Sequence, residues 1–78
     1  MNARDKYVNV FIKIFGVSAD EAEELKYQEI TAWDSVGHMN LIASIEDTFD
    51  IMMDTDDIID LSSFEKGKEI LKKYDIEI

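Results

Sequence analysis

Three near neighbours carry side chains that hydrolytic chemistry uses: Asp34, Ser35 and His38, in the stretch AWDSVGHMNLIASIEDTFDI from Ala32 to Ile51. A carboxylate, a hydroxyl and the chain's only histidine are the residue types of an acid, nucleophile and base relay. Their spacing argues against that relay. Its acid stands behind the histidine, away from the serine, whereas Asp34 and Ser35 are adjacent in the chain. Nothing in the sequence suggests an oxyanion hole or a substrate cleft. Two other roles suit Ser35. One is a helix cap, in which Asp34 or Ser35 accepts a bond from a free amide of the helix start and Trp33 acts as an apolar staple. The other is a point of attachment, because free amides and the positive dipole end favour a bound phosphodiester. His38 is expected half-buried at the mouth of the core, on the side of Ile45 and Phe49.

Helices must position these residues. Val8, Phe11, Ile12 and Phe15 recur at helical spacing, with Gly16 as a left-handed stop. Ser18-Ala19-Asp20-Glu21 has the pattern of a capping box and opens a short turn. The segment from there to Asp34 reads as a long loop, and loops of that length often carry function. The quoted stretch is a helix at roughly 100° per residue. Met39, Ile42, Ile45 and Phe49 gather on one side, with Leu41 beside them and Gly37, Asn40, Ser44, Asp47 and Thr48 opposite. A short turn from Asp56 to Leu61 follows, capped by Asp54 or Thr55. Ser62-Ser63-Phe64-Glu65 resembles a second capping box and opens a last helix with Phe64, Ile70, Leu71 and Tyr74 inward. Gly67 lowers the propensity of that helix and allows a close crossing. Only Tyr74 to Ile78 alternates, and that tail is expected to fray. The fold class is all-α: a small four-helix bundle of three main helices and one short one, residues 1–78 forming a single domain.

Composition narrows the function. A chain of 78 residues fills one modest core and has little room for a deep catalytic cleft. The absence of cysteine excludes disulfides and thiolate metal sites. No apolar run approaches the roughly 20 residues that cross a bilayer. The start MNARDKYVNVFIKIFG lacks the continuous apolar centre of a signal peptide, so a cytoplasmic location is expected. The net charge is −10, and nothing basic lies between Tyr27 and Glu65. Such a surface repels nucleic acid and attracts basic protein patches.

Asp34-Ser35-Val36, followed by Leu41, Ile45, Glu46 and Phe49-Asp50-Ile51, resembles the D-S-[LV] motif and E-x-x-F-x-I ending of the acyl and peptidyl carrier proteins. Length, helix order, the long first loop and acidity resemble that family over nearly the whole chain. The resemblance implies that Ser35 carries 4′-phosphopantetheine, placed there from coenzyme A by a phosphopantetheinyl transferase, with Asp34 as part of the recognition motif. The arm's thiol would hold an acyl or aminoacyl group as a thioester, and the chain would present it to other enzymes rather than catalyse. It implies docking through Val36 and Met39 near the serine and through Glu46, Asp47, Asp54, Asp56 and Asp57. Loading enzymes, acyltransferases and synthases with basic patches would be the partners. A monomer suits such a shuttle. Phe11, Phe15, Leu41, Ile45, Phe49 and Leu71 read first as ordinary core in the unloaded chain, and a short acyl chain enclosed between the helices would be lined by the same residues.

The sequence departs from common fatty-acid carriers in three places. Gly37, His38 and Asn40 follow the serine where acidic residues are usual, Ala43 replaces a larger apolar residue, and Trp33 precedes the aspartate. Those features look more like stand-alone carriers of polysaccharide, polyketide or aminoacyl pathways. The helix start at Gly37 is expected to be mobile. A calcium loop counted from Asp54 fails, with Ile58 and Ile59 where a ligand and a glycine are required, and no metal site is expected. The alternative of a different class is an acidic helical interaction module without a prosthetic group.

Overall fold

The computed structural model describes residues 2–78. Helices α1 (Ala3–Phe15), α2 (Ala19–Ala22), α3 (Ser35–Phe49), α4 (Thr55–Asp60) and α5 (Phe64–Lys72) follow in order, with no strand among the described residues. Two of the five are short, so the bundle has three main helices, and the extra turn is the one that Ser18 opens.

The caps show why the helices begin and end where they do. Asn2 accepts from the Asp5 amide at the start of α1. Gly16 closes that helix at φ 67°, and its N–H reaches the Ile12 carbonyl. At Ser18 the box is reciprocal: its hydroxyl takes the Glu21 amide while the Glu21 carboxylate takes the Ser18 amide. The start of α5 is different from the expected box. Ser63 is the cap and accepts from the Lys66 amide. The third helical position is then lysine, which has no acceptor to return the bond.

One aromatic ladder organises the core. Tyr7, Phe11 and Phe15 lie four residues apart on α1 and therefore on one face. Phe11 meets Tyr7 edge-on at 5.0 Å, Phe64 at 5.1 Å and Trp33 at 5.6 Å. The buried stripe is Tyr7, Val10, Phe11 and Phe15, with Val8 and Ile12 only partly covered. It is therefore rotated from the expected stripe of Val8, Phe11, Ile12 and Phe15, because the larger rings take the centre. Tyr7 is fully buried, and its hydroxyl donates to the Phe64 carbonyl at 2.7 Å. Burial, and then the charge of Glu65, pushes its phenol far up, so it stays a donor.

The long loop is zipped to the α4–α5 connection. The Tyr27 amide donates to the Ser62 carbonyl at 2.8 Å, and the Phe64 amide to the Leu25 carbonyl at 3.0 Å. Leu25 and Trp33 from the two ends of the loop are buried. At the other end of the chain, Ile76 and Ile78 pack against the core from irregular backbone, so the alternating tail is neither strand nor detached.

Gly67 makes room on α5 for the tip of the Tyr7 side chain from α1. A Cβ there would lie 2.0 Å from the Tyr7 hydroxyl, the same oxygen that holds Phe64. Gly67→Ala is expected to destabilise the fold by about 1–3 kcal/mol, typical of overpacking. Denaturant unfolding should show this as a lower midpoint with an unchanged slope.

Candidate functional site

The start of α3 settles which residue caps. Asp34 is the N-cap, and its carboxylate accepts from the Gly37 amide at 2.8 Å. Ser35 is the first helical residue. It is exposed, and its hydroxyl lies 3.4 Å from the Tyr27 hydroxyl. That exceeds the roughly 2.5–3.0 Å of an O–H···O bond, so Asp34 performs the capping and leaves the serine oxygen uncommitted. The amides of Ser35 and Val36 precede the first intrahelical bond, which runs from the His38 amide to the Asp34 carbonyl at 2.7 Å.

His38 is half-buried, as its position on the helix implied, and both of its nitrogens are engaged. The Trp33 indole donates from Nε1 to His38 Nδ1 at 3.0 Å. Nδ1 is therefore the acceptor, and Nε2 carries the proton. Nε2 donates to the Ile58 carbonyl of α4 at 2.7 Å. The Trp33 and His38 rings lie nearly parallel, joined through the Nε1–Nδ1 bond, with an angle of 13° between planes and 6.3 Å between centroids. Neither nitrogen faces Ser35 as a base, so Asp34, Ser35 and His38 form no relay. Trp33 also stacks on Phe15 at 5.1 Å, so the staple residue joins the core to α3 and, through His38, to α4.

Gly37 departs from expectation. It is buried, and a Cβ there would come within 1.9 Å of the Ala32 carbonyl oxygen and 3.3 Å of the Phe15 ring. The glycine lets the loop end fold back against α3.

A pocket of about 370 Å³ opens beside Ser35. Tyr27, His38, Met39, Ile58, Ile59 and Leu61 form most of its wall. It lies between the loop, α3 and α4, away from the expected cargo space. Phe11, Phe15, Leu41, Ile45 and Leu71 are packed as buried core, with Phe49 partly covered.

The acidic residues separate into exposed and committed groups. Val36 (69% exposed) and Met39 (55%) flank Ser35, and Asn40, Ala43 and Asp47 continue the exposed face of α3. Asp47 borders a groove shared with Lys6 and Lys13 of α1. Glu46 is partly buried and accepts from the Met53 amide at 2.9 Å, which fixes the turn after α3. Asp54 and Asp56 are exposed at the start of α4, and Asp54 makes no side-chain capping bond. Asp57 corrects the expected docking patch: only 4% exposed, it points inward. Lys73 Nζ and the Tyr74 hydroxyl each donate to it at 2.7 Å. Tyr74 in turn accepts from the Asp54 amide at 2.9 Å. The bond from Lys73, and then that from Tyr74, hold the Asp57 carboxyl below the usual carboxylate range. The same ion pair raises Lys73.

Sequence reading missed Tyr27, the link from Trp33 through His38 to Ile58, and Leu61. The signal for the link was present: Trp33 and His38 occupy the two positions that a helix-start staple brings together. Among the described residues, no three carboxylate or imidazole groups converge as metal ligands, and no helix is long and apolar enough to cross a membrane. No protein-family model matches this chain, and no curated protein or solved structure matches it either.

Two expectations follow from this geometry. Asp34→Ala should cost about 1 kcal/mol as a lost cap, whereas Ser35→Ala should change stability by less than about 0.5 kcal/mol; parallel urea titrations compare them. The second concerns acid. Because folding lowers the Asp57 pKa, its contribution is complete above the unfolded value of about 4 and is lost as pH falls through the lower folded value. The stability gap between wild type and Asp57→Asn should therefore be constant from neutral pH to about 5 and shrink below about 4. Urea midpoints measured across that range report it.

Proposed function

We propose that this chain is a carrier protein whose Ser35 hydroxyl is the attachment point of a 4′-phosphopantetheine arm. The observation that carries the reading is the division of labour at the start of α3. Asp34 caps the helix, and the neighbouring serine oxygen is exposed and without a firm partner. A serine needed only for capping would occupy the cap itself.

The residues present suit a phosphodiester. The Ser35 and Val36 amides lie at the positive end of a helix of 15 residues. Charge and free donors there favour an anion. In the attachment reaction Ser35 Oγ forms the new P–O bond and gives up its proton, and adenosine bisphosphate leaves coenzyme A. When bound, the arm supplies a thiol that holds an acyl or aminoacyl group as a thioester. Asp34 and Gly37 set where the serine stands at the start of α3. Val36 and Met39 offer apolar contact beside it, and Asp47, Asp54 and Asp56 supply exposed negative charge for basic partners. Glu46 contributes what its bond to Met53 leaves over. Charge at such a rim speeds encounter more than it tightens binding, which suits a carrier that must leave each enzyme. The transferase and the loading and acyl-transferring enzymes are the proposed partners, met in the cytoplasm.

The test is an intact mass after incubation with coenzyme A and a broad-specificity phosphopantetheinyl transferase. Wild type should gain one phosphopantetheine and Ser35→Ala none, with both melting alike. A folded wild type that gains nothing would sink the reading and leave an acidic helical interaction module in its place.

A further inference from the structure

We infer that the pocket beside Ser35 is a cargo site for a short, uncharged aliphatic acyl group, and that His38 sets its depth; this rests on Ser35 bearing the arm. The lining is the first reason. Met39, Ile58, Ile59 and Leu61 supply aliphatic surface, and Tyr27 and His38 supply ring faces. The wall contains no carboxylate, ammonium or guanidinium group. An alkyl chain leaves water favourably against such a surface. An aminoacyl group would bring an ammonium that loses its hydration with no counter-charge to meet it.

The inner limit is the second reason. The His38 ring lines the pocket and meets the fully buried Trp33 at its Nδ1 edge. Its two bonds run to the Trp33 indole and to the Ile58 carbonyl. The ring therefore fills the seam between α3 and α4. A chain passing deeper would have to displace it, leaving a buried indole N–H without an acceptor, which is costly. The volume of about 370 Å³ is near the lower end of the roughly 300–1,000 Å³ of small-molecule sites. Short groups fit in full, and the outer carbons of long ones remain in water. His38 acts here as a positioning residue, because what it controls is depth.

Wild type, His38→Ala and His38→Gln would be charged by the transferase from butyryl-, hexanoyl-, octanoyl-, dodecanoyl- and β-alanyl-coenzyme A. Each product is weighed intact and melted beside the same protein bearing the free arm. In wild type the melting temperature should rise by a few degrees up to hexanoyl or octanoyl, gain nothing more with dodecanoyl, and not rise with β-alanyl. His38→Ala should extend the gain to dodecanoyl. His38→Gln, which retains a donor and an acceptor, should keep the wild-type limit. A shifted chain-length limit is a readout that simple loss of stability would not produce. A wild type that gains mass but melts alike with every group, or whose gain climbs through dodecanoyl, overturns the cargo site alone. A wild type that gains no mass overturns the attachment beneath it. A folded His38→Ala that keeps the wild-type limit overturns the role of His38 in setting depth; should it fail to fold, His38→Asn, which is shorter but keeps a donor and an acceptor, makes the same comparison.

Discussion

A buried indole has a single polar atom, and that atom can only donate. Trp33 is fully buried among Phe11, Phe15 and the start of α3, so its N–H must find an acceptor inside the protein. Left unpaired, it would cost about 1–3 kcal/mol. The acceptor is His38 Nδ1, and that one bond decides much around it. It fixes the tautomer, which makes Nε2 a donor, which in turn draws the Ile58 carbonyl and α4 onto α3. It requires the residue before the cap to lie directly against the first turn. That approach is possible because Gly37 leaves room for the Ala32 carbonyl. The placement of Ser35, the pocket beside it and the attitude of α4 all descend from satisfying one N–H.

A helix of six residues such as α4 holds little stability of its own. It is fastened at two points instead. His38 holds Ile58 on its inner side, and Lys73 and Tyr74 hold Asp57 from beyond the end of α5. Ile58 and the residues just after it, Ile59 and Leu61, form the α4 wall of the pocket. The wall therefore answers both to the core, through Trp33, and to the C-terminal segment, through Asp57. This also explains why an aspartate can be buried here: each carboxylate oxygen accepts a bond, one of them from an ammonium, and buried charge is tolerated when it is paired.

Local signals made most of the helices legible. Gly16 and Ser18 act at short range, so their types state their roles. Gly67 read as room for a close helix crossing, whereas the room is taken by the tip of the Tyr7 side chain. What escaped were decisions made by distant residues. Val8 gave way to Tyr7 in the buried stripe because a carbonyl 57 positions away accepts the Tyr7 hydroxyl. Asp57 read as one acid among several, and only the packing of Lys73 and Tyr74 against α4 turns it inward. Gly37 read as a weak helix former, because the Ala32 carbonyl that excludes a side chain lies on a loop whose path no local pattern gives. Around Ser35, the motif and the exposure of its flanks were legible. Phe11, Phe15, Leu41, Ile45 and Leu71 are the ordinary core that their spacing suggested, and the open pocket beside Ser35, which no local pattern marked, lies at the surface.

Shortage of interior bears on how a small acidic bundle would serve as a carrier. The 78-residue chain spends its rings and aliphatic groups on one packed centre. Whatever it holds or meets must then use the rim. On α3 the rim is graded: apolar at Val36 and Met39 beside Ser35, small at Ala43, acidic at Asp47. The two halves of that gradient act at different ranges. Charge is felt across roughly a Debye length of 8–10 Å and orients an approaching basic surface before contact. Apolar surface contributes only on contact, at the end of the helix where the serine stands. In the proposed role, a partner would be oriented by the acidic end and seated at the apolar end, over the hydroxyl. Burying Asp57 and committing Glu46 to a turn removes charge from the middle of the molecule. The exposed acids on α3 and α4 include Asp47, Asp56 and Asp60, with Asp54 at the cap of α4 and Asp34 at the cap beside Ser35. In the proposed role this charge would steer a partner toward the helix start, and the apolar contact at Val36 and Met39 would act once it arrives.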